Sequence, residues 1–62
     1  MAWLAVDKDG TETIFNLKPS KNDWRSSWEN GKPYGNRINL TKGTIEKFIG
    51  KKLTWDDEPV EI

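Results

Sequence analysis

The chain contains neither cysteine nor histidine. The first absence removes disulfides, thiolate nucleophiles and the zinc arrangements that need sulfur. The second removes the side chain that most often serves as acid or base near neutral pH, and most often binds a metal. Long apolar runs are missing as well. The opening Ala2-Trp3-Leu4-Ala5-Val6 ends at Asp7 and has no basic residue before it, far short of a secretory signal or a membrane span. These absences predict a cytoplasmic protein that is not an enzyme, with no cofactor, bound metal or membrane contact.

What is present has to build a fold from little material. The chain has 62 residues, read as one small domain over 1–62. A domain of this size buries only about 60% of the surface its unfolded chain exposes. Four Trp, two Phe and one Tyr are therefore expected to supply most of the core, since each ring removes roughly 150–250 Å² from water. The formal charge is zero but unevenly spread. The N-terminal stretch is acidic through Asp7, Asp9 and Glu12, and the C-terminal one through Asp56, Asp57, Glu58 and Glu61. The basic residues gather between them.

Ala2 to Val6 and Thr11 to Asn16 are apolar, β-leaning runs on either side of Asp7-Lys8-Asp9-Gly10, a cluster suited to a tight turn. They predict a β-hairpin. With a period of two, Trp3 and Ala5 share one face and Leu4 and Val6 the other, while Ile14 and Phe15 point oppositely. Both faces carry apolar groups, so the hairpin is expected to be covered on at least one side and partly shielded on the second. Pro19 and Ser20 close this unit. Trp24 and Trp28 stand four apart, which suits one or two helical turns after Asn22, but Trp24, Ser26 and Trp28 also alternate as a strand does. The strand is preferred, followed by an Asn30-Gly31 turn, a loop to Asn36 and an extended Arg37-Ile38-Asn39-Leu40. Thr41 is read as the cap of a helix over about 41–50, in which Ile45, Phe48 and Ile49 form one buried stripe and Gly50 marks the end. Leu53 and Trp55, then Val60 and Ile62, alternate in a tail expected to be packed. The sum is an α+β fold: a small antiparallel sheet of three to four strands, with the helix on one face covering Leu4, Val6 and a residue of the second strand.

Two blocks carry a resemblance. Trp3-Leu4-Ala5-Val6-Asp7-Lys8-Asp9-Gly10-Thr11-Glu12 with Ile14-Phe15-Asn16, and Lys42-Gly43-Thr44-Ile45-Glu46-Lys47 with Ile49-Gly50 and Leu53-Thr54-Trp55, resemble a group of short uncharacterised proteins from bacteria and their phages. The blocks cover over half the chain. The resemblance implies a mobile-element or prophage setting and brings no biochemical role, so no site residue follows from it.

Several constellations have simpler explanations than chemistry. Asp7, Asp9 and Glu12 around Gly10 echo the start of a calcium loop, but strand-like runs flank them where an EF-hand has helices. Asp56, Asp57 and Glu58 read as a solvated acidic turn before Pro59. Ser26 and Ser27 lack a histidine base and a nucleophile elbow. Asn39-Leu40-Thr41 matches a glycosylation sequon that has no secretory context. Gly43 beside Lys42 lacks phosphate-loop spacing and is read as a close-packing glycine.

The segment 18–37 remains. Here Trp24, Arg25, Trp28, Tyr34 and Arg37 interleave rings and guanidinium groups with Lys18, Lys21 and Lys32. Rings and cations suit single-stranded nucleic acid, and they are also enriched at the centres of protein interfaces. The preferred reading is a non-enzymatic protein-interaction module, a phage or prophage accessory protein, whose partner is another protein. A nucleic-acid-binding protein using 18–37 is the alternative. A self-associating protein that pairs two copies as a homodimer through an open strand edge is the third.

Overall fold

A computed structural model describes residues 1–31 and 35–62. Among the described residues the elements are β1 (Trp3–Val6), β2 (Glu12–Phe15), β3 (Ser20–Asn22), β4 (Ser27–Glu29), β5 (Arg37–Leu40), α1 (Thr44–Ile49) and β6 (Val60–Glu61). This is the α+β fold expected from the sequence. A four-stranded antiparallel sheet runs β5-β2-β1-β6, and β3 and β4 form a second, two-stranded sheet. In the larger sheet three strands lie side by side in chain order and the fourth returns through the helix to pair with the first, a Greek-key arrangement.

The predicted hairpin is present. Thr11 accepts a hydrogen bond from the Asp7 N–H at 2.9 Å, and the Asp7 carbonyl accepts one from Gly10 at 2.9 Å. Gly10 closes the turn at φ +91°, a conformation glycine adopts without strain. The register places Leu4 opposite Ile14 and Val60, and Ile14 opposite Ile38. One face of the sheet therefore carries a continuous apolar row.

The two faces are covered by different elements. On the first, Leu4, Val6, Ile45 and Leu53 form a buried cluster, with Ile14, Leu40, Ile49 and Val60 packed against it. On the second, Ala5, Phe15 and Trp28 are buried together, flanked by Trp3 and Trp55. The expected tail packing is also observed. Ala2 and Ile62 exchange backbone hydrogen bonds of 3.2 and 2.8 Å, which extends the β1–β6 ladder.

The helix departs in detail from its reading. It begins at Thr44, and Thr41 supplies no side-chain cap. The cap comes from β2: Glu12 accepts hydrogen bonds from the Gly43 N–H at 2.6 Å and the Ile45 N–H at 2.8 Å, one on each carboxylate oxygen. A carboxylate on free N–H groups at a helix start meets both their hydrogen-bonding need and the helix dipole. Phe48, expected in the buried stripe, is 64% exposed. It lies about 60° round the helix axis from Ile45 and about 100° from Ile49. A helix of six residues seats only a narrow stripe on so small a sheet, and Ile45 and Ile49 fill it.

The segment after Pro19 also differs. Ser20 opens β3, and the hairpin turn falls at Asp23–Ser26 with no strand running through Trp24. Ser26 takes φ 55°, which breaks the alternation read across Trp24, Ser26 and Trp28. No helix among the described residues is long and apolar enough to cross a membrane.

Candidate interaction surface

The β3–β4 hairpin lies across the second face of the sheet and divides its two tryptophans between interior and solvent. Trp28 is 4% exposed and Trp24 is 94% exposed. Trp28 belongs to the core, so it leaves the proposed surface. Its indole N–H donates to the Val6 carbonyl at 2.9 Å, and its backbone N–H donates to Asp7 Oδ1 at 3.0 Å. Its ring meets Trp55 edge to face, with centroids 5.9 Å apart. A Trp is buried at low cost only when its N–H finds an acceptor.

Asp7 is the fastening point. Only 5% exposed, it accepts from Trp28 on one oxygen and is paired with Arg37, whose Nη2 meets Oδ2 and whose Nη1 lies 3.4 Å from Oδ1. Arg37 Nη1 also donates to the Trp28 carbonyl at 3.1 Å. The guanidinium thus bridges β5, the end of β1 and β4. A buried carboxylate is tolerated when paired and hydrogen-bonded in this way. One sequence signal pointed there: continuing the Trp3–Ala5 alternation by one step puts Asp7 on the covered face. The identity of its partner had no such signal.

The turn that presents Trp24 is held from beneath. Asn22 Oδ1 accepts the Arg25 N–H at 3.1 Å, and its amide donates to Glu29 Oε1 at 3.1 Å. Ser26 accepts from the Lys8 N–H at 3.2 Å, tying the tip to the β1–β2 turn. Trp24 therefore projects from a braced tip.

The described cations of the segment are exposed residues that each lie against a ring or a carboxylate of the same chain. Lys21 Nζ sits 4.2 Å from the Trp55 ring centroid and 5.4 Å from that of Trp28, and Lys18 Nζ sits 5.5 Å from that of Trp3. Arg25 reaches Glu29 at 3.9 Å across open surface, a pair worth about 0–1 kcal/mol. Each described cation of segment 18–37 thus has an aromatic or acidic partner within the chain. Lys32 and Tyr34 lie outside the described residues.

Two further carboxylates hold turns. Asp9 accepts the Thr11 N–H at 2.9 Å, and hydrogen bonds from the Thr11 side chain and backbone hold its carboxyl below the usual aspartate value. Asp57 Oδ2 accepts from the Thr54 N–H at 2.8 Å and its hydroxyl at 3.1 Å. Among the described residues no group of three or more acidic side chains gathers where it could hold a metal. A cleft of about 760 Å³ lies between the β1–β2 turn, the start of α1 and residues 52–56. Val6, Ile45 and Leu53 line it together with charged residues of both signs, Lys42 and Lys52 as well as Glu46 and Asp56. Comparison with protein-family models, with curated proteins and with solved structures returns no match.

Proposed function

We propose that the chain is a non-enzymatic protein-interaction module that engages another protein through the tip of the β3–β4 hairpin, with Trp24 as its anchor. The single observation that carries this reading is the unequal use of the two tryptophans. A chain so short gains most by burying its rings, yet Trp24 is held 94% exposed on a turn braced by Asn22 and Ser26. Exposed Trp beside Arg is the composition of an interface hot spot. Every buried polar side-chain atom among the described residues already has a partner, so those groups serve the fold.

That Lys18 and Lys21 lie against tryptophan rings and Arg37 against Asp7 supports a protein partner over a nucleic acid, which would draw these cations toward phosphates. A fold that needs no disulfide suits the cytoplasm. The phage or prophage setting rests on the resemblance carried by the two terminal blocks.

The test is capture from lysate of the native host by the wild-type chain and by its Trp24→Ala and Arg25→Ala variants, each first checked for unchanged circular dichroism. The expected result is a protein whose affinity falls by roughly 30-fold or more in Trp24→Ala, the scale of a hot-spot residue. Equal recovery by all three chains overturns the choice of surface. Oligonucleotide binding that weakens steeply as salt rises would replace the protein partner with a nucleic acid.

A further inference from the structure

The two edges of the larger sheet are finished differently. β6 has two residues, follows Pro59 and carries Glu61, with Glu58 just before it. Short length, proline and charge are the usual protections against strand pairing at an edge. Among the described residues β5 is less protected. It pairs with β2 over four residues in simple register, contains no proline or lysine, and its one charged residue, Arg37, is paired with Asp7.

The hydrogen-bonding direction of β5 follows from two bonds beyond the strands. The Asp7 N–H donates to Thr11, so Thr13 and Phe15 direct their backbone groups toward β1 and Glu12 and Ile14 toward β5. The Asn16 N–H donates to Asn36 at 3.4 Å, which gives the same assignment from the other side. In β5, therefore, Ile38 and Leu40 bond to β2. Arg37 and Asn39 turn their N–H and C=O groups to the open edge. Between them Ile38 is 63% exposed and is the end of the apolar row that crosses the sheet through Ile14 and Leu4.

We infer that this edge is the dimer interface of the protein, and that its occupant is β5 of a second copy, antiparallel about a two-fold axis at Ile38. In that register Arg37 of each chain exchanges both backbone hydrogen bonds with Asn39 of the other, which satisfies all four outward groups of each strand. Ile38 meets its own counterpart at the close, non-hydrogen-bonded position, and the apolar row runs on from one sheet into the next. The charged residue on each strand faces a neutral amide, so no like charges oppose. A two-fold closes on itself and leaves the protected β6 edges outermost. Leu40 is already packed against the Leu4 cluster, which makes Ile38 the residue with surface to contribute. The inference is independent of the hairpin tip, and either can fail alone.

The absence of cysteine permits a direct test. A non-hydrogen-bonded antiparallel pair has its Cα atoms about 4.5 Å apart, inside the range a disulfide spans. Ile38→Cys is expected to oxidise to a covalent dimer at least about tenfold faster than Lys47→Cys, an exposed helix position whose thiols meet only by collision. Light scattering of the wild type should rise from 7.2 kDa toward twice that mass with concentration, and Ile38→Lys should stay at the lower value. Amide exchange should show Ile38 and Leu40 protected at every concentration, and Arg37 and Asn39 only where the dimer is populated. A mass fixed at 7.2 kDa up to the solubility limit overturns the proposal, as do equal cross-linking rates. Protection of Arg37 and Asn39 that is independent of concentration would assign the edge to cover from within the chain, and would overturn it too.

Discussion

A few side chains hold the fold by contacts that span up to about half of the chain. Asp7 binds Trp28 and Arg37, which stand 21 and 30 residues further on. Removing the carboxylate strands the Trp28 N–H under the hairpin and leaves Arg37 without its counter-charge. Each buried unsatisfied group costs about 1–3 kcal/mol, so Asp7→Ala should lose roughly 2–4 kcal/mol in urea unfolding. A core of this size rarely supplies more than about 3–5 kcal/mol in total, and the variant should be largely unfolded at 25 °C. A loss under about 1 kcal/mol would mean that the pair is a surface one in solution. Asp7 shows what residue-level reading can reach. Its turn was legible from the Asp-Lys-Asp-Gly cluster, and its burial follows from the alternation of β1. That it meets Arg37 was not legible, because nothing local to either residue encodes the other.

At the scale of elements, α1 depends on a neighbour to start. With six residues it is far below the length at which helices persist in water, and Glu12 of β2 holds its first N–H groups. Glu12→Ala should therefore cost about 1–2 kcal/mol, the range for a lost N-cap. It should also reduce helical circular dichroism at intermediate denaturant, where the helix frays first. Glu12→Gln, which keeps one acceptor oxygen but no charge, should recover part of the loss, and an equal loss in both would assign the effect to the charge. The helix stop at Gly50 was visible in the sequence, since an αL C-cap favours glycine. The start was not, because the capping residue stands on another element 31 residues away.

For the whole molecule the decisive fact is that β1 belongs to both cores. Leu4 and Val6 pack under the helix, and Ala5 packs under Trp28. Neither cover can remain when β1 is lost, so the domain should unfold as one unit. Tryptophan fluorescence, which reports the Trp28 and Trp55 side, and circular dichroism near 222 nm, which reports the helix, should give coincident urea midpoints. An earlier fluorescence transition would make the β3–β4 hairpin a separately melting cover.

The sequence by itself determined the local pieces: a hairpin at Asp7–Gly10, an extended Arg37–Leu40, a helix with Ile45 and Ile49 on its buried side, where Phe48 was wrongly placed with them, and a strand alternation with apolar groups on both faces. Period and turn chemistry are properties of neighbouring residues, so neighbouring residues suffice to read them. Only the tertiary structure decided which tryptophan goes inside, which carboxylate caps the helix and which edge of the sheet stays open. Trp24 and Trp28 are the same side chain four positions apart. What separates them is that Val6 and Asp7 offer acceptors under one, while the turn lifts the other clear of the sheet.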